Sequence, residues 1–476
     1  MPRLKVLFVA SECMPLVKTG GLGDVVGTLP GELVRRGHDV RVVIPRYRMV
    51  KDYPALLHSA PMAVPTGLDE SWAAVWEAKL AQDVPVYLIE HDVLYDRDGI
   101  YGDAHGDFGD NARRFAFLSR AGLVLRRYLS FEPDVIHLHD WQTALVPSLA
   151  RASGESIPTV LTIHNLGYQG RFGADQLAAI GLGSEHLNDL GLEYQGDINL
   201  LKSGLTCATC LSTVSPTYAE EIQTAEGGAG LDGVLRARTA DLFGILNGID
   251  EQTWAPSTDP LLPACFDKDH LEGKAVCKQA LQRELGLEVR PDVPLVGLVS
   301  RFVEQKGIDV FVDALEQLLH LDLQFAVLGS GQEWAERLFS KLSETHDSFR
   351  ARFGFDERLA HLIEAGADLF AMPSRYEPCG LNQMYSQRYG TLPVVRAVGG
   401  LRDTVQHDRT GFVFTALTGE ALAAAVAYAA DTYRLAPAHF RQMQRSAMGK
   451  RMGWDQVAVQ YEALYRLAIA WQAGRH

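Results

Sequence analysis

The chain is predicted to be an α/β protein built on two doubly wound parallel sheets, and three observations predict it. Its 476 residues exceed what one hydrophobic core usually organises. Short apolar strands alternate with helical periods along nearly the whole length, the pattern of parallel sheets with right-handed crossovers. The alternation breaks once, after Leu242–Ile245, where Pro256, Pro260 and Pro263 crowd a short stretch.

Before that break the predicted strands are Lys5–Ala10, Asp39–Ile44, Val84–Ile89, Asp134–His139, Thr159–Ile163 and Leu211–Val214. Helical periods cover Asp110–Tyr128, Trp141–Arg151 and Ile198–Ala208. Beyond it come a helix over Lys268–Leu285, strand Leu295–Ser300, helix Ile308–His320, strand Gln324–Leu328 and helix Glu333–Leu342. Strand Asp368–Pro373, helix Cys379–Tyr389 and strand Leu392–Val395 follow. Asp455–Gln472 reads as a terminal amphipathic helix. The expected division is 1–248, 249–454 and a closing helix over 455–476.

Apolar residues make up 47% of the chain, enough for a sizeable core, and the formal net charge is -14. That charge argues against nucleic acid or an anionic membrane as a general partner and still allows a local cationic pocket. The apolar run Leu4–Ala10 is ended by Ser11 and Glu12, too early for an export signal or a membrane span, so a cytoplasmic protein is expected. Six cysteines are scattered as reduced thiols would be. Cys207 and Cys210 form a CxxC with no second pair nearby, which favours helix packing over zinc.

In a doubly wound sheet the ligand lies beyond the carboxyl ends of the strands, so the residues directly after each strand carry the information. Lys18-Thr19-Gly20-Gly21-Leu22-Gly23-Asp24 follows the first strand and precedes a helical stretch. Its glycines let backbone N–H groups approach an anion, and a helix start adds partial positive charge. A tight turn with a solvated lysine accounts for the same residues. The spacing fits neither the dinucleotide fingerprint nor the P-loop. His137-Leu138-His139-Asp140-Trp141 closes a strand with groups that are costly to bury unless each has a partner. Alternating histidines suit zinc; Asp140 and Trp141 equally suit carbohydrate, the indole packing on a sugar face. His164-Asn165 repeats the pattern after Thr159–Ile163.

In the second half, Arg301 follows a strand and Lys306 stands at a helix start, where a cation opposes the macrodipole unless an anion is bound. The pair is what a pyrophosphate requires. In Glu377-Pro378-Cys379-Gly380-Leu381, Pro378 suits a first helical turn and Gly380 leaves N–H groups open to a ligand. Glu377 there is either a capping acid or a carboxylate for sugar hydroxyls.

KTGGLGDVVGTLP, HLHDW, HNLGYQG, ILNGID, SRFVEQKG and EPCGLNQMYSQRYGTLPVVRAVGGLRDTV occur in this order across nearly the whole chain. With them the sequence resembles the bacterial glycogen and starch synthases. The resemblance implies a GT-B fold, two Rossmann-like domains facing across a deep cleft with the last helix crossing back to the first. It implies transfer of glucose from ADP-glucose to the 4-hydroxyl at the non-reducing end of an α-1,4-glucan such as glycogen, with retention and without a metal. Carried over by motif, Lys18 and Gly21 lie against the donor's phosphates and sugar, and Arg301 and Lys306 neutralise the diphosphate. Asp140, His164 and Glu377 surround the glucose. Cys379, Gly380 and Leu381 supply a helix start, Gly354 and Phe355 lie near the adenine, and Tyr95, Asn165 and Asn247 line the cleft. Two positions stand out: Asn382, where the family often has Thr, and Tyr385, where many other GT-B transferases carry a glutamate that holds ribose.

Overall fold

Val6, Leu7, Phe8 and Val9 are shielded from solvent on both faces, which is the environment of a central parallel strand. In the computed structural model, which describes residues 2–67 and 69–474, Lys5–Val9 lies at the centre of a sheet, between Asp39–Pro45 and Val135–His139. The parallel strands run across it in the order Pro85–Glu90, Asp39–Pro45, Lys5–Val9, Val135–His139, Thr159–Ile163, Cys210–Thr213, Leu242–Gly244. Numbered along the chain this is 3-2-1-4-5-6-7, so the winding reverses between Lys5–Val9 and Val135–His139. An antiparallel extension absent from the sequence-based prediction widens the sheet: Glu70–Lys79 pairs with Pro85–Glu90, and Leu56–Leu57 and Met62–Pro65 pair with Glu70–Lys79.

The chain divides into two units, one made of Met1–Val214, Ala219–Gly248 and Trp454–His476, the other of Ser215–Tyr218 and Ile249–Gly453. The final helix, Trp454–Gly474, belongs to the first unit. Its Glu462, 5% exposed, accepts from Arg36 Nε at 2.5 Å and lies 2.9 Å from His38 Nε2. Tyr465 OH lies 2.8 Å from His137 Nδ1.

The second unit repeats the winding with an all-parallel sheet, Phe349–Phe353, Gln324–Gly331, Leu295–Phe302, Leu369–Met372, Leu392–Arg396, Phe412–Phe414, or 3-2-1-4-5-6. The two-residue period of a strand sorts its side chains. Phe325 and Val327 enter one core with Phe311, Leu315, Leu422 and Val426. Ala326 and Leu328 enter the opposite core with Cys277, Leu281, Leu362 and Ile363. Each large aliphatic or aromatic side chain so buried contributes roughly 1.5–3 kcal/mol. Among the described residues no helix is long and apolar enough to cross a membrane.

Candidate active site

Every residue singled out by the strand-end rule follows the carboxyl end of a parallel strand or occupies its last positions. In the second unit the strands flanking the reversal are Leu295–Phe302 and Leu369–Met372, and the loops after them meet. Gly307 makes this possible: its φ is +65°, and a Cβ there would stand 2.0 Å from the Pro373 carbonyl oxygen. The contact brings Lys306 Nζ to 2.7 Å from Glu377 Oε2, which also accepts from Ser374 Oγ at 3.0 Å. Glu377 is 4% exposed. Arg301 is exposed and has no acidic partner among the described residues.

The loop Glu377–Leu381 differs from the predicted helix start. The helix begins at Asn382, with Gly380 at φ +71° before it, so Cys379, Gly380 and Leu381 precede the helix and Pro378 lies outside its first turn. The reason is a clamp from the Gly400 backbone and the Ser215 side chain. Glu377's carbonyl accepts from Gly400 N–H at 3.1 Å, and Pro378's from Ser215 Oγ at 2.6 Å. Asn382 donates its amide to the Val299 carbonyl at 2.7 Å, tying the helix to the central strand. Tyr385 stacks on Trp254, with centroids 3.7 Å apart and planes 10° apart. Gly354 and Phe355 follow Phe349–Phe353 on the surface, Phe355 88% exposed.

In the first unit Asp140 directly follows Val135–His139 with φ +53°, an uncommon conformation for a residue with a side chain. Its Oδ1 accepts from the backbone N–H of His164 at 2.7 Å and of Asn165 at 3.5 Å. Burial pushes the Asp140 carboxyl up to about 7, those two N–H groups partly offset this, and the negative charge of Glu12 adds to it. His139 Nδ1 lies 3.0 Å from His164 Nε2. Burial holds His164 down to about 3 and His139 well below the usual imidazole range, so both are neutral. His137 engages both ring nitrogens, Nδ1 with Tyr465 OH and Nε2 with Thr162 Oγ1. Among the described residues no group of three or more His, Cys, Asp or Glu is placed to hold a metal ion.

Two expected ligand groups are turned into the first unit instead. Trp141 is 8% exposed, edge-on to Phe115 at 5.0 Å and covered by the backbone of Gly170, so its ring packs against its own unit rather than offering a face to sugar. Residues 141–144 also form turns, and the helix expected from Trp141 begins at Leu145, because Thr143 Oγ1 bonds back to His139 N and O. Tyr95 is fully buried and donates its hydroxyl to the Arg114 carbonyl at 2.8 Å. Asn247 is buried after the edge strand Leu242–Gly244, its Oδ1 without a partner among the described residues. Lys18 is paired with Asp24 at 2.9 Å, and Gly21, the first helical residue, has open space where a Cβ would stand.

Sequence reasoning missed Glu12, Tyr101 and Ser374. Glu12 Oε2 accepts from the backbone N–H of Thr19 at 2.5 Å, and Oε1 from Tyr101 OH at 2.5 Å. Its signal was position alone, just past the first strand.

Residues 5–237 match the starch synthase catalytic domain model and residues 286–444 the model of glycosyl transferases group 1. Glycogen synthase 1 of Geobacter metallireducens is 47% identical over 491 residues, covering 100% of this chain and 98% of the relative. The chain belongs to the glycogen synthase family. It is therefore a glycosyltransferase. A glycogen synthase from an Anaeromyxobacter species (strain Fw109-5) is 49% identical and covers 98% of this chain and 100% of itself. The catalytic domain of starch synthase IV from Arabidopsis thaliana, solved bound to ADP and acarbose, superposes with a TM-score of 0.89 at 34% identity, covering 98% of this chain and 100% of that one. Sucrose-phosphate synthase from Thermosynechococcus elongatus shares the fold, with a TM-score of 0.63 at 19% identity. The fold of the family is GT-B, with two Rossmann-like units.

Proposed function

We propose that the chain transfers glucose from ADP-glucose to the 4-hydroxyl at the non-reducing end of an α-1,4-glucan, with retention, elongating glycogen. The observation that carries this is the meeting of Lys306 and Glu377 at the winding reversal of the second unit, with Arg301, which has no acidic partner among the described residues, near Lys306 in sequence. In the reaction the bond from glucose C1 to the β-phosphate oxygen breaks and its electron pair leaves with ADP. The acceptor O4 bonds to C1 on the same face, and its proton passes to the departing phosphate. Charge growing on that phosphate is the main demand, and Arg301 and Lys306 meet it, with Lys18 a further cation for the donor's phosphates. Asp140 and His164 accept from and donate to the sugar's hydroxyls.

Glu377 braces the oxocarbenium-like sugar rather than attacking it. Its Oε2 already accepts from Lys306 and Ser374, which lowers its nucleophilicity. A glucosyl adduct trapped on Glu377 overturns this assignment. Positive side chains take the charge-neutralising role that a metal fills in other phosphate chemistry, and no cofactor is invoked. The net charge of -14 and the free cysteines fit a cytoplasmic enzyme without nucleic-acid or membrane partners.

The test is incubation with labelled ADP-glucose and glycogen, in parallel with labelled UDP-glucose. Label is expected in precipitated polymer, and faster from the adenine donor. Label confined to free glucose or to a small acceptor defeats the reading.

A further inference from the structure

Glu12 takes no part in the mechanism above, yet it is the centre of a hydrogen-bond cluster. It is 3% exposed and has no cationic partner among the described residues. A buried carboxylate persists without one only where hydrogen bonds replace its hydration. Four do so here. Oε2 accepts from Thr19 N–H at 2.5 Å and from Gly20 N–H at 3.3 Å. Oε1 accepts from Thr19 Oγ1 at 2.7 Å and from Tyr101 OH at 2.5 Å. Thr19 and Gly20 are themselves on the surface, so the carboxylate ties an exposed loop to the end of the central strand Lys5–Val9. The two backbone donors it uses lie just before the helix Gly21–Arg35. Gly23 N–H is taken by the Gly20 carbonyl at 3.3 Å, and the N–H groups of Gly21 and Leu22 stand at the helix start, where an anion is favoured.

We propose that Glu12 is a positioning residue for the donor: by holding Thr19 and Gly20 it sets Lys18 and the start of helix Gly21–Arg35 in register with the phosphates of ADP-glucose. The inference rests on the proposed function. Its negative charge works against phosphate binding, so its value lies in reach and geometry. That separates two substitutions. In Glu12→Gln the amide oxygen takes the two backbone N–H groups, and its NH₂ donates to the Thr19 and Tyr101 hydroxyls, which rotate to accept. In Glu12→Asp the charge stays, but the carboxylate is withdrawn by one methylene.

Steady-state kinetics on the full chain, with ADP-glucose and glycogen as probes, give the test. E12Q is expected to keep kcat/KM for ADP-glucose within about tenfold of wild type, and E12D to lose on the order of 10²-fold, the scale of a 1 Å misplacement. The KM for glycogen stays unchanged in both. E12D equal to or better than E12Q, or a change confined to the glycogen KM, overturns the proposal. Should E12D not fold, Thr19→Val takes its place. It deletes one donor and leaves the carboxylate, and the donor KM is expected to rise at least about threefold; a wild-type donor KM in T19V overturns the proposal. Wild type is run alongside. If it places no label from ADP-glucose in polymer, the functional reading has failed; if it does while the variants rank in the wrong order, only the role of Glu12 has.

Discussion

The two units share a winding order and place candidate residues after the strands at its reversal, but they treat charge in opposite ways. In the second unit the loops after Leu295–Phe302 and Leu369–Met372 bring a lysine onto a carboxylate and leave an arginine open. In the first unit Glu12, past Lys5–Val9, sits among neutral donors, and burial keeps His139 and His164 uncharged and raises Asp140, past Val135–His139, to about 7. Topology fixes where a ligand meets the sheet. Burial and partners then decide whether that place handles an anion or an array of hydroxyls.

Removing charge from the second unit tests this most severely. Lys306→Ala or Arg301→Ala is expected to lower kcat by on the order of 10²–10³, read as label entering polymer at saturating donor. Wild-type turnover in either variant breaks the contrast, since the second unit's cations then do nothing for the leaving group.

In the first unit the corresponding test is titration. The folded chain holds a proton on Asp140 up to about pH 7, whereas an unfolded chain releases it near the ordinary carboxylate value. Raising pH through that window therefore lowers wild-type stability, and above about 7 the penalty is complete. His139 and His164 act with the opposite sign, since their neutral folded forms favour the fold as pH rises through the imidazole range. Asp140→Asn keeps an oxygen for the His164 and Asn165 N–H groups and removes only the carboxyl titration. Relative to wild type, D140N is expected to gain roughly 2–4 kcal/mol between pH 4 and pH 8, measured by urea unfolding at each pH. A flat difference means that Asp140 is ionised in the folded chain and the first unit is not charge-poor.

Much of this architecture is legible in the sequence, for a physical reason. Strands buried on both faces are dominated by apolar and β-branched residues, and Thr159–Ile163 is predicted to the residue. The antiparallel strands Met62–Pro65 and Glu70–Lys79 are half-exposed; the first is a short run ended by proline, and tryptophan, serine and glutamate interrupt the pattern of the second. The strand-end rule points to Lys306, Glu377, Asp140 and His164 because it needs only local order. It does not see the burial of Trp141, which depends on Gly170, and it passes over Glu12, whose donors Thr19 and Tyr101 become neighbours only when the chain folds back. The helix start at Asn382 was hidden likewise, since the clamp on Glu377 comes from Gly400.

The units also differ in how tightly their loops are held, and glycine substitutions sharpen this. Gly399 has φ +41°, and a Cβ there would stand 1.9 Å from the Glu377 carbonyl oxygen. Gly399→Ala is expected to destabilise by about 1–3 kcal/mol and to lower kcat by displacing Glu377. Gly21→Ala meets open space and is expected to change unfolding free energy by less than about 0.5 kcal/mol. Equal effects at the two positions remove the distinction between a clamped loop and an open one.

A small effect is also expected at Asn382, the first residue of its helix. Its amide reaches the Val299 carbonyl and fastens the helix behind the Glu377 loop to the central strand. A threonine is too short for that span, so Asn382→Thr leaves the carbonyl without this donor while the clamps from Gly400, Ser215 and Lys306 stay in place. Stability should fall by about 0.5–1.5 kcal/mol in urea, with kcat within about threefold of wild type. A larger loss of kcat than of stability shows that the loop depends on the helix behind it, and the second unit's site is then held by one long lever rather than by several short contacts.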